Sequence, residues 1–289
     1  MQLSPKENIV KTQKINSGLY IVSTPIGNLS DITLRAIEIL KKSDLILCEN
    51  TRNSAKLLNR FNIKTKTTSY HKFNEKKNLE RIVHLLKNDK IISLISDAGT
   101  PLISDPGIFL IQECIKNNIS LHSVPGPSSI ISAISVSGFE GKFLFYGFLP
   151  NSENQIKNEI KFLSNFPYSI IFFIPSKRIR KTIEIMKIFF SDRNILIAKE
   201  ITKIYENFIR SDLRSVDLSK YKLKGELTVI ISNKSIIKRK SLNLLDESVK
   251  KEVLIMLKKY SVKDVSEFIS KKENISKKTI YDFCINQKK

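Results

Sequence analysis

Apolar positions along the chain follow a repeating alternation of short runs and helical spacings. Leu19 to Ser23 is a short run that ends in Thr24-Pro25-Ile26-Gly27-Asn28; beyond Asp31, the positions Ile32, Ala36, Ile39 and Leu40 fall on one helical face. This predicts a strand, a loop and a helix capped at Asp31. The unit recurs: Leu45 to Cys48 precedes a helix through Leu57 and Leu58, and Ile91 to Ile95 precedes a helix from Gly107 through Ile115. Repeated strand-loop-helix units imply an α/β fold with a mostly parallel sheet.

A further strand is expected over Ile119 to Val124, after which Pro125-Gly126-Pro127 turns the chain into a helix that Ser128 or Ser129 can cap. The alternation resumes with strands at Phe143 to Phe148, Ser169 to Ile174, Ile195 to Lys199 and Glu226 to Ile231. A boundary near Pro127 to Gly141 divides the pattern into two α/β domains, 18–127 and 128–235. The last segment, 236–289, changes to short amphipathic helices joined by polar turns, a small helical appendage compatible with helix-turn-helix. The opening stretch, Met1 to Ser17, is polar and lacks an apolar run of signal-peptide length. A flexible N-terminus on a soluble protein is the expectation, since no later segment reaches the ~20 apolar residues that span a bilayer.

Charge changes the picture more than length does. The 49 Lys and Arg against 28 Asp and Glu give a formal charge of +21, which favours partners dense in negative charge, nucleic acid ahead of anionic membrane. An AT-rich coding sequence, which enriches Lys, Asn and Ile together, is a second source of the same charge. The cations are unevenly placed. Between Ile91 and Gly141 the only Lys or Arg is Lys116, whereas Arg52, Lys56, Arg60, Lys64, Lys66, Lys72, Lys76, Lys77 and Arg81 crowd the preceding stretch. Tyr70, His71 and Phe73 interleave with them, a composition suited either to RNA or to a solvated face over core aromatics. His84 and His122 fall within apolar patterns and read as structural.

In an open α/β sheet the ligand crevice lies beyond the carboxyl ends of the strands. The richest such loop runs Ser96-Asp97-Ala98-Gly99-Thr100-Pro101 and on to Ser104-Asp105-Pro106-Gly107. It reads either as a turn-rich connector or as a ligand loop, and its depletion in cations favours the second. A phosphate pocket would want bases or a Gly-rich cradle, and neither G-x-x-x-x-G-K-S/T nor G-x-G-x-x-G occurs. A cationic ligand fits better, because a carbonyl-rich, Lys-poor crevice with Asp97 avoids like-charge repulsion. S-adenosylmethionine, with its sulfonium and ammonium, is such a ligand. Cys48, Cys114 and Cys284 lie too far apart for a zinc site or disulfide framework, so no metal and a reducing cytoplasm are expected.

In their order and spacing, several motifs resemble the ribosomal RNA small subunit methyltransferase I family of the tetrapyrrole-methylase-like superfamily. They are Ser23 to Leu29, Glu49-Asn50-Thr51-Arg52, Asn74-Glu75, Ser96 to Gly107, Pro125 to Ser128, Tyr146 to Pro150, Lys199 to Lys203 and Lys224-Gly225-Glu226. The resemblance implies two α/β domains of tetrapyrrole-methylase type with the methyl donor in the cleft between them. It also implies a homodimer and 2′-O-methylation of a cytidine in small-subunit rRNA. By matching position, donor contacts are expected from Pro25, Asp97, Ala98, Gly99, Thr100, Pro101, Ser128, Ser129 and Phe173. Glu49 or Glu200 is expected to act as base or orienting acceptor, with Arg52 and Lys203 fixing RNA phosphate or a nascent alkoxide. Two positions depart from the family pattern: Asn50 stands where an acidic residue is usual, and Ile174-Pro175-Ser176-Lys177-Arg178 replaces an acid followed by Ser-Pro-His-Arg. The competing functions are a small-molecule, tetrapyrrole-type methyltransferase and a non-catalytic RNA-binding assembly factor on the same fold.

Overall fold

The computed structural model describes residues 14–234, 247–273 and 275–287. They form two compact units that divide after Lys234. The expected flexible N-terminus lies outside the described residues up to position 13.

The first unit holds two five-stranded sheets. Strands β1 (Gly18–Val22), β2 (Leu45–Cys48), β3 (Thr67–Ser69), β4 (Ile91–Ile95) and β5 (Leu121–Val124) make the first, in the order β3-β2-β4-β1-β5 with all pairs parallel. Helices cover both faces. Tyr20, Val22, Ile46, Cys48 and Val124 pack on one side with Ala36, Ile39 and Leu40 of α1 (Leu34–Lys42) and Leu57 and Leu58 of α2 (Thr51–Arg60). The alternate residues, Leu19, Leu45, Leu47, Ile92 and Leu94, meet Ile82, Val83 and Leu86 of α3 (Glu75–Lys87) and Leu110 and Cys114 of α4 (Ile108–Lys116) on the other. Strands buried on both faces read as continuous apolar runs, which is why β1, β2 and β4 are legible in the sequence.

The second sheet is mixed rather than mostly parallel. Strands β6 (Phe143–Phe148) and β7 (Ser169–Pro175) pair in parallel, but β8 (Asn194–Lys199), β9 (Asn207–Asp212) and β10 (Glu226–Ile231) join antiparallel in the order β6-β7-β10-β8-β9. One face packs against α6 (Glu153–Leu163) and α7 (Ile179–Phe189), the other against α5 (Ser129–Ser135).

Sequence and structure part at several places. The first helix is capped by Thr33, whose Oγ1 accepts from the Ala36 N–H at 3.1 Å, while Asp31 closes a short 3-10 turn, Leu29–Asp31, one step earlier. Strands β3 and β9 escape the apolar pattern because they are edges, half-wetted and polar. His122 stacks on Tyr20 at 4.4 Å as a structural residue should, whereas His84 is exposed at the end of α3, where Asn88 bonds it.

The second unit comprises α8 (Glu247–Leu257), α9 (Val262–Glu273) and α10 (Lys277–Asn286) around Val249, Val253, Val265, Ile269 and Ile280. Among the described residues no helix is long and apolar enough to cross a membrane.

Candidate active site

In the first sheet β1 lies between β4 and β5, so the chain leaves the ends of these three strands in diverging directions. Such a reversal opens a crevice. The loop after β1 and the loop after β4 are held together by a two-bond bridge: Thr24 N–H donates to the Gly99 carbonyl at 2.9 Å and Gly99 N–H donates back to Thr24 at 3.0 Å. Ser23 and Thr100 add a hydroxyl pair at 3.0 Å, and Thr24 Oγ1 donates to the Ser96 carbonyl at 3.1 Å. Gly126, after β5, sits so close that a Cβ there would lie 2.9 Å from the Ser23 Cβ.

The long loop after β4 is strained and anchored at its far end. Leu102 and Ser104 carry φ of 74° and 70°, a left-handed region that L side chains rarely adopt. Gly107 N–H donates to Oε2 of the buried Glu75 at 3.1 Å. The Asn74-Glu75 pair thus has a structural role, since Asn74 also ties the turn before α3 by accepting from His71 N–H at 2.8 Å and donating to the Ser69 carbonyl at 3.1 Å.

Across the crevice, the second sheet contributes the loop after β8. Glu200 and Thr202 hold φ of 53° and 66°. Thr202 accepts at Oγ1 from the Asn28 N–H at 3.0 Å, and Lys203 pairs with Glu200 at 3.1 Å. Gly27 faces this loop so tightly that an added Cβ would meet Lys203 Cγ at 2.6 Å and the Ile201 carbonyl at 2.9 Å.

Between these loops lies a cavity of about 790 Å³. Of the sequence-predicted residues, Ala98, Gly99, Thr100, Ser128, Ser129, Phe173, Glu200 and Lys203 line it. Pro25 and Asp97 instead line a smaller adjoining cavity of about 260 Å³, because the Asp97 carboxylate turns toward α2 and accepts from Asn53 Nδ2 at 2.8 Å. Pro101 is buried beneath the loop, and Glu49 and Arg52 line neither cavity. Arg52 is exposed on the first turn of α2, whose cap is Asn50: its Oδ1 accepts from the N–H groups of Arg52 and Asn53. Arg178 is engaged with the loop after β6, donating to Asn151 Oδ1 at 2.9 Å and to the Pro150 carbonyl.

Three residues that were not among the expected contacts also line the larger cavity. Phe145 and Phe148 stand 5.1 and 5.4 Å from Phe173 and form an aromatic wall with it. Simple alternation along β6 would put them on opposite faces, but a bulge between Phe145 and Gly147 shifts the register by one. Gly147, at φ 86°, supplies the backbone that the bulge needs. The third is Asp105. Burial, with Glu49 next in effect and Asp97 and Glu226 adding repulsion, pushes its carboxyl up to about 6 from an ordinary 3.8. Burial and Asp97 likewise raise Glu49, and the protein packed around Glu226 raises that carboxyl too. In the sequence Asp105 stands within the Ser96 to Gly107 loop, but in an Asp-Pro-Gly string that also suits an ordinary turn.

Lys203 is the only Lys or Arg lining the larger cavity among the described residues, and it is paired with Glu200. Asp105 and Glu226 line it as well. Burial is the first cause of each of these shifts, and the neighbouring carboxylates that add to it at Asp105 and Glu49 make a region of negative potential, which a cationic ligand would relieve. Such a ligand with an aromatic ring and several polar groups matches the Phe wall, the Ser128 and Ser129 hydroxyls and the Ala98–Thr100 backbone.

The cationic stretch wraps the β3 edge of the first sheet. Arg52, Lys56 and Arg60 are exposed on α2 over one face and Lys76, Lys77 and Arg81 on α3 over the opposite face; Lys64, Lys66 and Lys72 are exposed beside the edge strand. None of these is in an ion pair among the described residues. Of the interleaved aromatics Phe73 is 94% exposed, in an edge contact with the His71 ring at 6.0 Å, whereas Tyr70 is fully buried in the core.

Comparison with known proteins places this geometry among relatives. Residues 18–217 match the family model described as Tetrapyrrole (Corrin/Porphyrin) Methylases. The chain is 42% identical over 270 residues, covering 90% of it and 95% of the relative, to a Rickettsia prowazekii protein named ribosomal RNA small subunit methyltransferase I. A Thermotoga maritima protein of the same name is 43% identical, over 75% of this chain and 98% of its own. Among solved structures, a cobalt precorrin-4 methyltransferase superposes with a TM-score of 0.56 at 13% identity, covering 74% of this chain and 94% of that one. A uroporphyrin-III C-methyltransferase from Thermus thermophilus, complexed with S-adenyl homocysteine, gives 0.53 at 13%, covering 74% and 97%. At such identity these two structures bear on the fold alone.

Proposed function

Since the chain belongs to the ribosomal RNA small subunit methyltransferase I family of the tetrapyrrole methylases, we propose that it transfers a methyl group from S-adenosylmethionine to small-subunit ribosomal RNA, at the 2′-hydroxyl of a cytidine. The observation that carries this reading is the pairing of a cation-poor, carboxylate-rimmed cavity with an edge of unpaired cations in the same unit. The first suits a cationic methyl donor and the second a polynucleotide backbone.

The donor brings a methyl group already activated on sulfonium. The chain's own residues then have to orient a hydroxyl, exclude water and accept a proton. The Phe145, Phe148 and Phe173 wall offers its ring faces to a purine. The Ala98–Thr100 backbone, fixed by the Thr24–Gly99 bridge, and the Ser128 and Ser129 hydroxyls provide polar contacts, while Pro25, Asp97 and Pro101 shape the loops that carry them. Asp105 joins Glu49 and Glu200 as an acceptor for the hydroxyl proton, and of the three Asp105 combines a raised pKa with a place on the cavity wall. Arg52 and Lys203 hold RNA phosphate or steady the developing alkoxide. No metal is assigned a part. The reading includes a homodimer working in the cytoplasm; light scattering of the purified chain tests the first of these.

Titration calorimetry with S-adenosylmethionine, followed by mass spectrometric mapping of rRNA from cells with and without the protein, tests the reading as a whole. Donor binding and loss of one methyl group, on a cytidine ribose, are expected. A folded chain without donor affinity would leave only the RNA-binding assembly factor.

A further inference from the structure

The smaller cavity is left without a role by the donor site. It adjoins the larger one: Thr24 of the bridge lines the smaller cavity and Gly99 the larger, and Ile26 and Ala98 line both. Its walls are of two kinds. Pro25, Leu29 and Leu57 are apolar, as the flanks of a slot for a flat ring would be, and Asn53, Asp97 and Lys56 are polar. Ser54, buried beside the Cys48 thiol, also lines it.

The polar edge has a defined hydrogen-bonding sense. Asn53 Nδ2 gives one hydrogen to Asp97 Oδ2, at 2.8 Å, and keeps a second. Asp97 Oδ1 accepts from no donor among the described residues. The pair therefore presents an acceptor beside a donor. Cytosine carries the complement on its Watson–Crick edge, with the N4 amino group to donate and N3 to accept. With the sugar fixing the register, uracil carries the reverse, with O4 accepting and N3–H donating, and sets like against like at both positions; only by sliding one place along its edge could it pair.

Resting on the functional reading above, we propose that this cavity receives the target base turned out of the RNA, and that the Asn53–Asp97 pair selects cytosine over uracil. Ile26 and Ala98, common to both cavities, put the nucleotide's sugar next to the donor. Lys56, at the same cavity, supplies a cation for the adjoining phosphate.

The test uses the full chain and small-subunit particles rebuilt with transcripts that carry either C or U at the nucleotide mapped as methylated. Wild-type protein is expected to favour C by at least about 10-fold in kcat/KM, the discrimination that one well-formed pair of base contacts supplies. Asp97→Asn replaces the acceptor by an amide that can donate. It is expected to lose on the order of 10- to 100-fold on the C transcript and to bring the C-to-U ratio to about one or below. Asn53→Ala is expected to lower the ratio too, with donor affinity by calorimetry within about two-fold of wild type. Equal use of C and U by wild type, or an unchanged ratio in both variants, would overturn the assignment while leaving the methyltransferase reading intact. A collapse of donor affinity in Asn53→Ala would give the cavity to the donor instead. Absence of any transfer by wild type to small-subunit rRNA would overturn both readings together.

Discussion

Thr24 and Gly99 exchange both of their backbone hydrogen bonds across the mouth of the crevice, at 2.9 and 3.0 Å, although 75 positions of chain separate them. Gly99 does so at φ 82°, and a Cβ there would meet nothing nearer than Ile26 Cγ2 at 3.5 Å. Gly99→Ala is thus a test of conformation rather than of space. The left-handed backbone costs an alanine about 1–2 kcal/mol, and a small rotation away from it breaks the bridge. Calorimetry is expected to find S-adenosylmethionine bound roughly 10-fold more weakly, with a fall of a few degrees in Tm. Unchanged affinity would detach the bridge from donor binding.

Gly27 tests the opposite cause. A Cβ at this position would collide with the Thr202 Oγ1 at 2.8 Å and with the Ile201 backbone at 2.9 Å, and would drive the β1 and β8 loops apart. The Asn28 to Thr202 bond would go with them. Gly27→Ala is expected to lower kcat by about 10-fold or more, because misplacement by a fraction of an ångström at a reacting centre is costly. Donor affinity should fall less than in Gly99→Ala, since the Thr24–Gly99 bridge is on the other flank. Equal losses in kcat and affinity in both variants would argue against separate roles for the two contacts.

These contacts also show where sequence reading stops. Strands β1, β2, β4, β7 and β10 are legible because both of their faces are covered and few polar residues interrupt them. The loop residues Ala98 to Thr100, Ser128 and Ser129 follow from their place after such strands. The direction of the Asp97 side chain was not legible for a specific reason: a carboxylate at a strand end can turn to either side, and only the distance to Asn53 on α2 decides which. Phe145 and Phe148 were missed because a one-residue bulge reverses the face that alternation assigns. The antiparallel half of the second sheet was missed as well, since strand direction is set by connections that periodicity does not encode.

Arg193 is a buried charge that the function does not use. Nη1 donates to the carbonyls of Tyr168 and Ser232 at 3.2 and 3.3 Å, Nη2 to those of Ser164 and Phe166 at 3.0 and 2.5 Å, and the guanidinium lies over the Phe190 ring at 4.8 Å. It closes the ends of β7 and β10 and the turn after α6. Arg193→Ala would leave one buried and three partly buried carbonyls without this donor, and a loss of about 3–5 kcal/mol by urea unfolding is expected. Arg193→Met, which restores volume without donors, should recover little of that. Full recovery by methionine would mean that packing, not hydrogen bonding, holds the site.

The cationic edge should be read by salt. Each phosphate contact releases counterions, so log Kd for a small-subunit rRNA fragment is expected to depend linearly on log salt. The combined Lys64→Gln, Lys66→Gln and Lys72→Gln variant is expected to reduce that slope by about 2 to 3 and to weaken binding at low salt. These side chains are exposed beside an edge strand, so the fold should be unaffected. A slope identical to wild type would move the RNA to another face of the protein.

Asp105 offers the sharpest pH signature. Its carboxyl is raised in the fold to about 6, above the ordinary 3.8, so between these values the folded chain holds a proton that the unfolded chain has released. Stability from this group is complete below about pH 4 and is lost as pH rises through about 6. Full burial of such a shift would be worth about 3 kcal/mol, which the open side of the cavity reduces to about 1. Asp105→Asn should therefore be more stable than wild type above pH 6 by about that amount, with no difference of this origin near pH 4. Activity runs the other way. As a proton acceptor Asp105 must be ionised, so kcat/KM for RNA should climb through about pH 6. The kcat profile should inflect lower, because a bound cationic donor favours the carboxylate. An Asp105→Asn variant with a wild-type rate and the same inflection would return the proton to Glu49 or Glu200.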